Sequence, residues 1–214
     1  MRIAKIIAIV AVVLMVAGLV LGTDCGGGGG PQGAKITLSD APVLLDLSPL
    51  LPARFERLDA ASEGMSNDDL GLGPEFSEVE LFLSPEPYQM IYGFILIVER
   101  ATERAAADAF LRDEQQVRNL VYQGLKEGAA KEGYELSESE VEIDITYPNI
   151  ADFAALGEGR CSMYGVSFGF DMVVFRSNEV YVYLYSVDLS PERQLLPPIA
   201  TEITHRISMF YQTV

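Results

Sequence analysis

The chain has no tryptophan, one histidine and two cysteines among its 214 residues. His205, Cys25 and Cys161 are too few soft donors to build a zinc or other transition-metal centre. His205 is also the sole imidazole for any Ser/His or Cys/His pair. No Gly-x-Ser-x-Gly elbow is present, and GEGRCSMYG around Cys161 matches no cysteine-protease signature. Phosphate loops are missing as well. The GGGGG run is followed by Pro31 and no helix, and GLGPE, with Gly71 and Gly73 as turn residues, lacks the lysine such a loop needs. No cofactor is expected.

Positive charge is scarce too. Lysine occurs four times and arginine eleven times, scattered along the chain, against 31 acidic residues. Without Arg2, Lys5 and Asp24, which precede Cys25, 13 basic residues face 30 acidic ones, a net charge of −17. Such a surface repels phosphate backbones, which excludes nucleic acid as a partner.

Charge is absent from Ile6 to Leu21, an apolar run preceded only by Arg2, Lys5 and the amino terminus. A positive start followed by an apolar core is the pattern of an export signal. As a helix the run would reach about 24 Å, short of the roughly 20 apolar residues of a comfortable span. Under either reading the positive end stays inside, and everything beyond residue 25 faces the periplasm or cell exterior. Residues 25–35, with five successive glycines at 26–30, read as a flexible tether. Residues 36–214 are expected to form a single extracytoplasmic domain.

The stretch VLGTDCGGGGG resembles the end of a bacterial lipoprotein signal, with Gly22, Thr23, Asp24 and Cys25 as the lipobox. Asp24 stands where that pattern carries Gly, Ala or Ser. The resemblance implies lipid attachment at Cys25 and a membrane-anchored protein. Cleavage after Gly22 and an uncleaved anchor of residues 1–24 are the alternatives. A Cys25–Cys161 disulfide is chemically permitted outside the cytoplasm. A glycine-flanked tether is a poor place to pin, however, and Cys161 reads better as a buried thiol.

Within the domain, APVLLDLSPLLPARFERLDA carries three prolines and suits an extended entry ending in a strand at Phe55 to Leu58. SEVELFLS alternates Val79, Leu81 and Leu83 against Glu78, Glu80 and Phe82, a strand with one wet face. In YQMIYGFILIVE both alternating sets are apolar, which predicts cover on both sides. From Thr102, a candidate N-cap, the period becomes 3.6: Ala106, Phe110, Val117, Leu120, Val121 and Leu125 stripe one long helix. Asp108 with Arg112, Glu114 with Arg118 and Glu127 with Lys131 are acid-then-base pairs four apart along it, and Gly128 and Gly133 offer stops. Strands follow near Val141 to Tyr147 and Arg160 to Phe168, with NIADFAALGEG between them as a short helical or irregular piece. VVFRSNEVYVYLYSV reads as a hairpin around Ser177 and Asn178. A last helix from about Pro198 places Ile199, Ile203, Ile207 and Phe210 inward. The order predicts an α+β domain on a largely antiparallel sheet.

SEVELFLS with YQMIYGFILIVE before the long helix, and VVFRSNEVYVYLYSV before IATEITHRI, give an order of elements that resembles the PsbP/Mog1-like α/β sandwiches over roughly residues 50 to 212. The resemblance implies a sheet with helices on both faces and a binding or assembly role rather than catalysis.

Two surface features remain. ELSESEVEID gathers Glu135, Glu138, Glu140, Glu142 and Asp144; the last four would share a strand face by period two, most simply a solvated one. SNDDLG lacks the ligand spacing of a calcium loop. Tyr181, Tyr183 and Tyr185 lie on one side of a strand, either as a partner or ligand platform or packed beneath a helix. The sequence therefore predicts a membrane-tethered binding or accessory module for an envelope protein partner. The alternative is a secreted hydrolase using carboxylates or calcium.

Overall fold

The computed structural model describes residues 36–59, 77, 80–86, 88–131, 133–189 and 195–212, with the side chains of Gly128 and Lys131 left aside. Cys25, the segment 1–35 and the SNDDLG loop lie outside the described residues.

Seven strands form one antiparallel sheet in the order β1-β2-β3-β7-β6-β5-β4. They are β1 (Glu56–Leu58), β2 (Glu80–Pro85), β3 (Tyr88–Ile97), β4 (Val141–Thr146), β5 (Phe153–Met163), β6 (Val166–Ser177) and β7 (Val180–Asp188). The first three strands make a meander. The chain then crosses one face as two helices, starts again at the far edge with β4, and returns strand by strand until β7 pairs with β3. These central strands come from distant parts of the sequence, and their register runs from Gln89 opposite Asp188 to Ile97 opposite Val180.

Helix α1 (Ala41–Leu44) lies in the entry segment, α2 (Ala101–Arg112) and α3 (Glu114–Lys131) pack on one face, and α4 (Leu196–Gln212) covers the other. The face under α2 and α3 holds Tyr92, Phe94, Phe170, Met172 and the odd-numbered tyrosines of β7. The face under α4 holds Ile91, Ile95, Val173, Phe175, Val182 and Leu184. With apolar sets on both sides, β3 is buried throughout its middle and β7 along its whole length, as the uninterrupted apolar run in YQMIYGFILIVE demands.

Four expectations are corrected. The long helix is broken at Asp113, whose extended backbone stops α2 and whose carboxylate accepts from the backbone N–H of Gln116 at 3.1 Å, capping α3. The break moves the stripe of α2 by one residue: Ala107 and Leu111 are buried and Ala106 is exposed, while Val117, Val121 and Leu125 hold their places. The N-cap of α2 is Arg100, which puts Thr102 inside the first turn. β2 has no wet face, because Phe82 enters the α4-side core while Leu81 enters the other. The segment expected to be irregular after Asn149 becomes β5 from Phe153. Its glycines are contact positions rather than turns, since a Cβ on Gly159 would overlap the Phe170 ring and stand 2.7 Å from the Glu142 carbonyl.

Candidate functional site

The tyrosines of β7 point into the core beneath α2 and α3. Tyr181, Tyr183 and Tyr185 are 0%, 1% and 0% exposed, the packing arrangement rather than a solvent-facing platform. Tyr183 stacks on Phe94 with ring centroids 4.8 Å apart, and Tyr185 on Tyr92 at 5.0 Å. Register dictates these pairs, since Phe94 lies opposite Tyr183 and Tyr92 opposite Tyr185. Burial pushes the Tyr183 phenol upward, and its hydroxyl has no hydrogen-bond partner among the described residues.

Tyr181 ends in a polar network. Its hydroxyl donates to the Asp108 carboxylate at 2.7 Å, and the Arg176 guanidinium binds the same carboxylate through Nε at 3.1 Å and Nη2 at 2.9 Å. Burial, then the bond to Asp108, raises the Tyr181 phenol. Arg176 also reaches Asp152 at 3.3 Å, which accepts from the Asn178 backbone N–H at 2.7 Å. Asp108 thus serves Arg176, 68 residues further along the chain, in place of Arg112, its expected partner, and Arg112 lies instead over the Phe153 ring at 4.9 Å. The Glu114–Arg118 pair forms as expected, at 2.7 Å. The network ties α2 to the β6–β7 hairpin.

The acid run does not share one strand face. Glu138 to Glu140 form a 3-10 turn ahead of β4, leaving Glu142 and Asp144 exposed on the strand. Glu140 folds back, accepting from the Ser137 N–H at 2.8 Å and from the Tyr134 hydroxyl, and the tyrosine bond above all lowers its pKa. Among the described residues no group of three or more His, Cys, Asp or Glu has metal-binding geometry. Cys161 is a free, fully buried thiol pushed up to about 12 by burial and then by Glu140, so the thiolate is not populated at neutral pH. His205 is exposed on α4.

Sequence reading missed a different constellation. The sheet face that carries Val173, Val182 and Leu184 also carries polar side chains in register: Asp144 opposite Glu158, Glu158 opposite Asp171, Asp171 opposite Ser186, and Asp188 opposite Gln89. Gln89 donates to the Ser186 hydroxyl at 3.2 Å and accepts from Arg54 at 3.3 Å. Gly169 leaves room beside Asp188, for a Cβ there would stand 3.0 Å from its Oδ1. The Asp171 carboxyl is pushed up to about 7, by burial first, then by Asp188, then by Glu158. In the sequence these acids are isolated, 13 and 17 residues apart; the only signal is an acid at an inward position of a strand. A cavity of about 260 Å³ lies elsewhere, between α1 and the sheet edge, lined by Leu38, Ala41, Pro42 and Leu45 with the Arg57–Glu80 ion pair on its wall.

No family model matches the chain, and no curated protein does. Among solved structures, the extracellular domain of PknH from Mycobacterium tuberculosis is similar with a TM-score of 0.49 and 9% identity, over 83% of this chain and 100% of that one. No role is transferred from it. Among the described residues no helix is long and apolar enough to cross a membrane.

Proposed function

We propose that this protein is a non-catalytic binding or accessory module held at the outer side of a membrane by its N-terminal segment. The observation that carries the reading is the order Arg2, Lys5, the uncharged run Ile6 to Leu21, Cys25 and five glycines. Lipid on Cys25 or an uncleaved anchor supplies the attachment, and the glycines give the domain reach along the surface. A sheet with helices on both faces is in keeping with the PsbP/Mog1-like resemblance.

The test is the intact mass of the chain purified from the membrane fraction, beside Cys25→Ala. A chain starting at Cys25 and heavier by a lipid supports the lipoprotein form, and a full-length unmodified mass supports the anchor. A lighter chain found only in the soluble fraction rejects membrane attachment. Crosslinking in intact membranes should then recover one dominant protein partner.

One observation favours the hydrolytic alternative: Asp171, with a pKa of about 7 beside Asp188 and Glu158, has the environment of a general acid. Turnover of ester, glycoside or peptide substrates that disappears in Asp171→Asn would establish it in place of the binding reading.

A further inference from the structure

The cavity of about 260 Å³ between α1 and the sheet edge has two unlike sides. Its α1 side is aliphatic, made by Leu38, Ala41, Pro42 and Leu45. Thr37 fixes the start of that segment by donating its backbone N–H to the Asp40 carboxylate at 2.8 Å. Leu45 settles on the sheet over Gly93, where a Cβ would stand 3.4 Å from its Cδ1 and 2.8 Å from Leu184 Cδ2. The sheet side is polar. Glu80, opposite Gly93 in register, meets Arg57 diagonally across β1 and β2 at 2.6 Å, and Ser77 lines the same cavity. Arg57 commits one N–H donor to Glu80 and makes no other hydrogen bond among the described residues. Ser77 Oγ accepts from the Ile95 N–H at 2.8 Å and keeps its own proton to donate. A cation, an anion and a hydroxyl thus stand together against an aliphatic pocket.

We propose that this cavity binds a free α-amino acid with an aliphatic side chain of about the size of leucine. Its α-carboxylate takes the remaining donors of Arg57 and the Ser77 hydroxyl, its α-ammonium pairs with Glu80, and its side chain lies against Leu38, Ala41, Pro42 and Leu45. A simple anion would gain Arg57 and meet the charge of Glu80, and a simple cation the reverse, so a zwitterion with adjacent charges is the ligand that suits both. A neutral zwitterion also approaches without the repulsion that the net charge of −17 beyond Cys25 imposes on a free carboxylate. The cavity is smaller than the ~300–1,000 Å³ of sites for drug-sized ligands, which selects a compact one. The inference rests on the binding-module reading and names a ligand for it.

The test is calorimetry of the full chain in detergent with L-leucine, for which saturable one-to-one binding is expected. N-acetyl-leucine, which lacks the ammonium, and leucinamide, which lacks the carboxylate, should each bind about tenfold more weakly, the effect of losing one hydrogen bond to a charged group. Arg57→Gln should weaken L-leucine by a similar factor at an unchanged melting temperature, since the Arg57 side chain is 61% exposed and its loss leaves the core intact. No heat with L-leucine, equal affinity for either blocked leucine, or unchanged affinity in Arg57→Gln overturns the proposal. None of these outcomes depends on how residues 1–25 are processed, so failure here is separate from failure of the membrane reading.

Discussion

A phenol hydroxyl buried without a partner costs the fold its hydration, and the Tyr183 hydroxyl beneath α2 and α3 has none among the described residues. Tyr183→Phe keeps the stack on Phe94 and removes that cost, so the variant is expected to be more stable by about 1 kcal/mol in chemical denaturation. Asp171 sets a pH dependence. Its folded pKa of about 7 lies above the ordinary carboxylate value, so between about pH 4 and pH 7 the unfolded chain releases a proton that the folded one keeps. Stability from this group is full below about pH 4 and falls as pH rises to 7. The shift corresponds to about 4 kcal/mol at full strength, and solvent around this partly exposed carboxylate reduces it to about 1–2 kcal/mol. Asp171→Asn should therefore raise the melting temperature at pH 8 and flatten the decline between pH 5 and pH 8. At this scale the sequence was legible where a residue's type fixes its surroundings, as with the buried Cys161. It was mute for Asp171, whose neighbours come from other strands.

Elements were legible wherever a periodicity was unbroken. The apolar sets of β3 and α4 needed no partner to be read, because full burial leaves no polar phase. The α2–α3 pair was not, since Asp113 breaks the helix for a single residue and the 3.6 period runs through that break with a slip too small to see. The stretch NIADFAALGEG, read as helical or irregular, is the opposite case: its Gly157 and Gly159 lie within β5 and make space for Met172 and Phe170 across the strand. Gly159→Ala forces the Phe170 ring and the edge strand β4 apart. A loss of about 2 kcal/mol is expected from such overpacking, with hydrogen exchange of the Val141–Thr146 amides accelerating most.

For the molecule as a whole, α4 is the only helix longer than one turn among the described residues that covers its face of the sheet. A chain ending at residue 195 would expose Val173, Phe175, Val182 and Leu184 to water, together with the two-sided central strands they belong to. Loss of the cooperative thermal transition is expected, with binding of a hydrophobic dye in its place. A truncated chain that still melts sharply would show that the tyrosine-rich core under α2 and α3 is stable alone.

The sequence by itself determined what is local: a charged start followed by an uncharged apolar run, a strongly acidic balance, and the alternating patterns that make an antiparallel α+β domain. Tertiary structure decided which distant residues meet. The pairing of β3 with β7 and the cover of α2 and α3 buried the three tyrosines of β7, the return of β4 to β7 assembled Glu158, Asp171 and Asp188, and the β5–β6 turn brought Tyr164 to Tyr134. The physical reason is range. Periodicity reports which side of an element is apolar, whereas the identity of a strand's neighbour depends on long-range register that no window of sequence contains.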